Sequence, residues 1–388
     1  MDRRLKFGLI GAGILIATVP FVIGPGLVER AQNKTIGTSA TVQAGAHALH
    51  QTLQIADMHG DTMLWKRSVL ESSARGHIDL QRLQAGGVAV QVFSSVSQVP
   101  RGINYQSNAA TDTLWSFSIL QLQPPSTWFS PLGRSLYHAG KLQAAVKESD
   151  GKLVAIRTRG DLDSLLAARE RTSGIRPIGA LFSVEGLQNL EGKIENLDRL
   201  YDVGVRMAGL AHFFDNEVAG SMHGERKGGL TPLGRAVVAQ MERRGIIIDI
   251  AHASHATVRE VLASATRPLV SSHGGVKGTC QENRNLDDEE IRGVARLHGV
   301  IGVGVWDAAV CGTEPKDTAR AMRYIRDLVG IETVGLGTDF DGAITAGYDT
   351  SRLELLTQAL MDEGFTNDEI RLALGGNSLR VLRAVLPK

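Results

Sequence analysis

Histidine side chains stand directly after short apolar runs in this 388-residue chain. His252 follows the run Ile246–Ile250, His273 follows Leu269–Ser271, and helical periodicity separates the two runs. This arrangement is typical of a βαβ unit, whose parallel strands are buried on both faces. A buried strand needs no imidazole at its end, so two successive examples indicate side chains that point into one common site.

Other apolar runs end in residue types that bind metals. These residues are His59 and Asp61 in DMHGD, Glu185 in FSVEG, His212 in GLAH, and Asp339 and Asp341 in GTDFDG. Residues two apart in an extended segment face the same side, so His59 and Asp61 can reach one ion. A buried Glu185 without a partner costs on the order of several kcal/mol, which makes a cation its expected partner. Imidazole and carboxylate groups suit Zn²⁺ and similar divalent ions.

Five residues form the predicted metal-ligand set: His59, Asp61, Glu185, His252 and His273. Five ligands are too many for one tetrahedral ion with an open position, but they suit two ions that share a carboxylate. Two ions roughly 3.5–4 Å apart can hold a bridging water, lower its pKa and polarise a carbonyl group. Since no Gly-x-Ser-x-Gly motif competes for the role of nucleophile, we expect hydrolysis of an amide or ester by water.

The elements that position these residues repeat eight times. The eight apolar runs, each separated by helical periodicity, are Leu53–Ala56, Val88–Phe93, Ile178–Val184, Val205–Leu210, Ile246–Ile250, Leu269–Ser271, Val300–Val305 and Val334–Leu336. This alternation predicts an α/β fold, a (β/α)₈ TIM-like barrel whose chemistry lies at the carboxyl ends of the strands. The segment Ser94–Arg176 is predicted as an inserted helical segment after strand 2, and extra C-terminal helices follow near Leu353–Glu363 and Asn367–Leu374.

The N-terminus differs from the rest of the chain. Arg3, Arg4 and Lys6 precede Phe7–Val28, which is uncharged throughout and long enough for one membrane span. We expect residues 1–28 to be a signal or anchor segment, residues 29–50 a polar tether, and residues 51–388 an extracytoplasmic catalytic domain. The 42 Lys and Arg against 41 Asp and Glu give no reason to expect nucleic acid as a partner.

The only two cysteines are Cys280 and Cys311. Both are expected beyond the carboxyl ends of predicted strands, so a disulfide in an oxidising compartment is compatible with the sequence. Two free thiols are equally compatible with it.

The chain resembles the membrane (renal) dipeptidase family of binuclear zinc peptidases from about Ile55 to Leu382. The resemblance is carried by DMHGDT, VEG, LAHFFDNEVAGS, GLTPLGRAVVAQMERRGIIIDIAH, VSSH, NRN, GTDFDG and GGNSLRVL in this order. It implies two zinc ions per chain, one held by His59 and Asp61 and the other by His252 and His273, with Glu185 bridging them. Family members are often dimeric, which leaves a homodimer open here.

The resemblance also implies roles outside the metal ligands. His212 would contact the scissile carbonyl oxygen and stabilise its negative charge. Arg284, in CQENRN, would bind the free carboxylate of the substrate. Asp339 would face the free amino group and carry a proton to the leaving amine. Anchors for both end groups imply free dipeptides as substrates, and a D-residue at the second position is left open.

The sequence departs from the family pattern in two places. Cys280–Asn285 lacks an Asp and a Pro common in the family, which puts the shape of that loop in doubt. Val92–Ser95 replaces an aromatic-rich segment, and the insertion offers Trp115, Trp128 and Tyr137 as candidate substrate contacts.

Three further residues near the motifs receive simpler interpretations. His255 is expected at the surface or beside the ligands, His223 as a solvated loop residue, and Asp341 as a residue that orients a ligand or a backbone turn. Two rival functions stay open: another binuclear amide hydrolase, acting on acylated amino acids or β-lactams, and a catalytically silent barrel that binds peptides.

Overall fold

A closed barrel of eight parallel strands forms the centre of the molecule. The computed structural model describes residues 19–388 except Ser173. In chain order the barrel strands are β1 (Ile55–Asp57), β2 (Val88–Phe93), β3 (Ile178–Val184), β4 (Val205–Gly209), β5 (Ile247–Asp249), β6 (Val270–Ser271), β7 (Val300–Val303) and β8 (Val334–Leu336). Each strand pairs in parallel with the next one, and β8 pairs with β1 to close the ring. The predicted TIM-like fold is confirmed.

Helices surround the barrel and connect its strands. From residue 44 onward, the α-helices are Ala44–His50, Leu80–Ala85, Leu114–Leu120, Pro131–Glu148, Arg159–Arg171, Asn196–Asp202, Pro232–Arg244, His255–Ser264, Asp288–Arg296, Asp307–Val310, Pro315–Val329, Glu354–Asp362, Asn367–Arg371 and Asn377–Val385. Short 3₁₀ turns occur at Thr62–Leu64, Pro125–Thr127, Leu187–Leu190, Ile331–Thr333 and Thr350–Arg352.

The unit containing β5 and β6 shows why the sequence folds locally in this way. Thr231 accepts a hydrogen bond from Gly234 N at the start of the preceding helix, where Pro232 needs no hydrogen-bond partner. Gly245 ends that helix with φ 72°, a conformation that glycine adopts without strain. Ser254 caps the helix between β5 and β6, so both strand ends are held in place on the same side of the barrel.

The segment Ser94–Arg176 is inserted between β2 and β3, as predicted. Its helices are accompanied by a short strand, Leu153–Ala155, which the periodicity did not predict. This strand pairs with the first half of β3, where β4 leaves that edge free. The insertion is therefore attached to the barrel by a sheet hydrogen-bond ladder.

The C-terminal helices are confirmed and continue farther than expected. A π-helical turn, Leu372–Gly376, joins Asn367–Arg371 to a further helix, Asn377–Val385. The last helix buries apolar side chains such as Leu382 against strand residues that include Val300.

The N-terminal region requires a correction. Residues 1–18, which include most of the expected anchor, lie outside the described residues, and residues 19–32 are helical. Lys34–Thr35 pairs in parallel with Thr345–Ala346, and Glu29 is buried. Within the expected tether, Glu29 is thus buried and Lys34–Thr35 is paired, whereas most side chains from Arg30 to Ala48 are exposed. In the part of the chain that the structure describes, no helix has the length and apolar character to cross a membrane.

Candidate metal centre and substrate site

The carboxyl ends of six strands place acidic and imidazole side chains in one buried cluster. Glu185 follows β3 directly and lies at its centre. The other members are His59 and Asp61 after β1, His212 after β4, His252 after β5, His273 after β6 and Asp339 after β8. Parallel strands that end on one side of a barrel bring these residues together although up to 280 positions separate them, as between His59 and Asp339.

Three imidazoles surround one oxygen of Glu185. Its Oε1 lies 3.0 Å from His252 Nε2, 3.3 Å from His273 Nε2 and 3.6 Å from His59 Nε2. The Oδ2 of Asp61 lies 3.5 Å from His59 Nε2. All five predicted metal ligands therefore converge, and overlapping triads of possible ligand atoms connect them with His212 and Asp339.

The hydrogen-bond inventory of this cluster fits a metal. The Nε2 atoms of His252 and His273 are 2.9 Å apart, within reach of one N–H···N hydrogen bond or of one shared cation. Burial, and then the nearby Arg284, lowers the pKa of His252 well below its usual value, which leaves a neutral imidazole able to bind a metal. His59 Nε2 and Asp61 Oδ1 are buried without a hydrogen-bond partner among the described residues. A divalent cation would satisfy all of these atoms.

The carboxylates of the cluster influence one another strongly. Burial and then the charge of Asp61 raise the pKa of Glu185 well above its usual value. Burial acts to lower the pKa of His59, but Asp61, Glu185 and Asp339 outweigh it and raise that pKa to about 10. An excess of buried negative charge is the condition under which a bound cation stabilises the site.

A second layer of contacts orients His273. Its Nδ1 lies 2.9 Å from Ser272 Oγ, and this hydroxyl donates to Asp249 Oδ2 at 2.6 Å. Such partners fix the ring of a metal-binding histidine so that its other nitrogen faces the ion.

Arg284 lies beside the ligand cluster with unused donor capacity. Its Nη2 donates to His273 O at 3.0 Å, whereas its buried Nε has no partner among the described residues. The guanidinium lies over the Trp306 ring, 4.7 Å from the ring centroid. Trp306 Nε1 in turn donates to Tyr105 Oη at 3.2 Å. Trp306 thus covers one face of the positively charged Arg284 guanidinium at the edge of the site, and the Nε–H of Arg284 is left without an acceptor among the described residues.

His212 and Asp339 flank Glu185. His212 Nε2 lies 3.2 Å from Glu185 Oε2, and burial lowers the pKa of His212 to about 3. Asp339 Oδ1 lies 3.9 Å from His59 Nε2. Burial raises the pKa of Asp339 to about 7, although the neighbouring His59 acts in the opposite direction. A neutral imidazole and a carboxyl group that titrates near neutrality can both take part in proton transfer.

The insertion contributes a residue that the sequence analysis passed over. The Tyr105 carbonyl accepts hydrogen bonds from His223 Nδ1 at 2.8 Å and from Asn283 Nδ2 at 3.1 Å. Two of the aromatic residues predicted as substrate contacts pack within the insertion: Trp115 stacks on Phe129, and Trp128 donates to Gln123 O. Only the position of Tyr105 among polar loop residues, as the sole aromatic there, could have pointed to it.

His223 is not solvated as expected. It is fully buried, it stacks on Phe213 at 4.5 Å between ring centroids, and its ring lies 5.3 Å from that of His252. The Gly-rich loop around it folds under Tyr105, which removes the side chain from water.

Two other residues behave as proposed from the sequence. His255 is partly exposed and contacts Glu290 and Lys277 at 2.6 and 2.9 Å. Asp341 accepts a hydrogen bond from His77 N and thus orients a backbone turn.

Cys280 and Cys311 form a disulfide. This bond resolves the alternative that the sequence left open, and it ties the loop of Arg284 to the segment that follows Trp306. The disulfide therefore closes a loop of the chain that contains both Arg284 and Trp306.

Residues 43–386 match the model of the membrane dipeptidase family, peptidase family M19. The chain is 27% identical over 385 residues to the dipeptidase aclJ of Aspergillus oryzae, covering 89% of this chain and 82% of that protein. It is 31% identical over 215 residues to the dipeptidase verJ of Clonostachys rogersoniana, covering 54% of this chain and 55% of that one.

Solved structures share the fold. A probable dipeptidase, PvdM, from Pseudomonas aeruginosa superposes with a TM-score of 0.73 at 19% identity over 88% of this chain and 98% of its own. A metallopeptidase from Rhodobacter sphaeroides, liganded with a phosphinate mimic of the dipeptide L-Ala-D-Ala, has a TM-score of 0.69 at 23% identity and covers 86% of this chain and 99% of its own.

Proposed function

Because the chain belongs to the membrane dipeptidase family of metallopeptidases, we propose that it is a zinc-dependent dipeptidase that hydrolyses free dipeptides. The observation that carries the proposal is the convergence of three imidazole nitrogens within 3.6 Å of Glu185 Oε1, next to a guanidinium with a free donor. The dipeptide mimic bound to the Rhodobacter sphaeroides metallopeptidase supports the same class of substrate.

Two zinc ions are proposed, one held by His59 and Asp61, the other by His252 and His273, with Glu185 shared. Zinc at such a centre supplies Lewis acidity and a water molecule of lowered pKa. The protein supplies the buried, oriented ligands that hold these ions apart from bulk solvent.

The remaining residues determine which amide is cleaved. Arg284 Nε is proposed to bind the substrate carboxylate, with Trp306 limiting the movement of the guanidinium. His212 is proposed to stabilise the charge on the scissile carbonyl oxygen. Asp339, which lies 3.9 Å from His59 Nε2, is proposed to bind the free amino group and to give a proton to the leaving amine. Two charged anchors restrict productive binding to short substrates with both ends free.

The test combines elemental metal analysis with turnover of a dipeptide panel. The panel includes free dipeptides with L- or D-residues at the second position, N-acetylated dipeptides and C-terminal amides. We expect two zinc ions per chain and cleavage of free dipeptides, with blocked dipeptides turned over far more slowly. Two metals with cleavage of acylated amino acids or β-lactams instead would favour the broader amide hydrolase. No turnover of any amide would contradict the proposal and favour a peptide-binding barrel.

The extracytoplasmic location, the membrane attachment through the N-terminal segment and the homodimer stay predictions. The disulfide supports an oxidising compartment, where such bonds persist.

A further inference from the structure

A buried ion cluster outside the metal site joins three distant parts of the chain. Arg67 lies between two carboxylates: its Nε donates to Glu29 Oε1 and its Nη2 donates to Asp341 Oδ2. Glu29 is 1% exposed, Arg67 7% and Asp341 0%. Glu29 comes from helix 19–32, Arg67 from the loop after β1 and Asp341 from the loop after β8. The cluster therefore connects the N-terminal helix to two active-site loops.

Asp341 transmits this connection to the metal ligands. Its Oδ2 also accepts from Thr62 Oγ1 at 2.8 Å, and Thr62 directly follows Asp61. Asp61 N donates to Phe340 O at 2.9 Å, and Phe340 lies between Asp339 and Asp341. The two loops are thus held together on both sides of Asp61.

The loop after β8 needs such support. Asp339 and Asp341 have φ angles of 61° and 67°, a left-handed conformation that is uncommon for residues with side chains. Backbone of this kind persists only where surrounding contacts determine it. Arg67, Thr62 and the His77 backbone provide these contacts through the Asp341 carboxylate.

We propose that Glu29 is a positioning residue of the active site, acting through Arg67 and Asp341 on the metal ligand Asp61 and on Asp339. The proposal rests on the proposed function. Glu29 accepts from the Nε–H of the Arg67 guanidinium, and Nη2 of the same group donates to Asp341. Nη1 donates to Ile78 O. Without this carboxylate, the Arg67 Nε–H is left buried and without its acceptor, which favours a displaced guanidinium. Arg75, which is partly exposed, donates to the other oxygen of this carboxylate, Glu29 Oε2, at 3.1 Å and helps to hold it in place.

The experiment uses zinc-loaded full-length protein and the variants Glu29→Ala and Glu29→Gln. Glutamine keeps the shape and one acceptor oxygen, so it serves as the conservative variant if Glu29→Ala folds poorly. We measure release of Zn²⁺ to a chromogenic chelator, kcat and KM for a free dipeptide, and Tm. Contacts behind metal ligands are worth about 10- to 100-fold in metal affinity or activity. Because Glu29 acts through Arg67 and Asp341, we expect Glu29→Ala to release zinc up to about tenfold faster and to lose kcat/KM by a similar factor, and Glu29→Gln to lie between it and the wild type.

Arg169→Met is the matched control. Arg169 is also a buried arginine, but it donates to Val88 O and Pro177 O at the opposite end of the barrel. We expect this variant to lower Tm while zinc release and kcat stay at wild-type values. The proposal is overturned if Glu29→Ala lowers Tm alone, as the control does. If the wild type itself cleaves no dipeptide, the proposed function fails, and the zinc-release comparison still decides the role of Glu29.

Discussion

Replacing Arg284 by methionine should selectively weaken the use of substrates with a free carboxylate. Methionine keeps an unbranched apolar side chain over Trp306, so the substitution removes mainly charge and donors. In the structure Nη2 is already bonded to His273 O, which leaves the Nε edge for the substrate. One charge-assisted hydrogen bond there is worth about 1.5–3 kcal/mol. This corresponds to a loss of about 10- to 150-fold in kcat/KM, expressed mainly as a higher KM.

The assay compares a free dipeptide with its C-terminal amide in wild type and variant. The amide lacks the carboxylate, so its low turnover should change little when Arg284 is replaced. Zinc content must be measured in parallel, because the bond to His273 O could also position a proposed ligand. Equal losses for the two substrates, at unchanged zinc content, would refute carboxylate binding by Arg284. An unchanged KM for the free dipeptide would remove the residue from the site.

The other expected outcomes concern the metal bridge, the disulfide and a partly buried lysine. Glu185→Ala should abolish turnover and reduce zinc below one ion per chain by elemental analysis; full occupancy of two ions would exclude the bridge. Cys280→Ser with Cys311→Ser should raise KM for free dipeptides more than it lowers kcat, because the loop of Arg284 is released; equal effects on KM for the amide would contradict this. Burial lowers the pKa of Lys141 to about 8 from 10.5, so the unfolded state binds more protons between these values. Stability should therefore rise with pH across that window, by up to about 1.4 kcal/mol per pH unit relative to Lys141→Met in equilibrium denaturation; parallel pH profiles would disprove it.

The cluster of candidate metal ligands could be predicted from the sequence because the topology of the barrel alone fixes where the strand ends lie. Once eight buried runs alternate with helices, a parallel barrel places every strand end on the same side. His252 and His273 lie within three residues of their strands, so topology alone brings them together. The roles of Arg284 and His212 in turnover remain predictions.

Contacts between distant loops could not be anticipated in this way. His223 lies in a stretch of glycine and polar residues that is typical of solvated loops, and it is buried between Phe213 and Tyr105, the latter 118 positions earlier. The segment before Glu29 is apolar enough to suggest an anchor, yet that residue pairs with Arg67, 38 positions later. Local composition carries no information about such partners, because the energy of a buried ion pair depends on geometry and desolvation.

The position of Glu29 has a consequence for biosynthesis. It stands one residue beyond the apolar stretch Phe7–Val28, so any processing that removes this stretch must spare Glu29 if the ion cluster is to form. Cleavage on the amino side of Glu29 would leave the acceptor for Arg67 in the mature enzyme, whereas cleavage a few residues later would discard it. Maturation of the N-terminus would then set the catalytic competence of a barrel whose metal ligands are all intact. Intact-mass analysis of the protein purified from its native host would show whether the mature chain retains this residue.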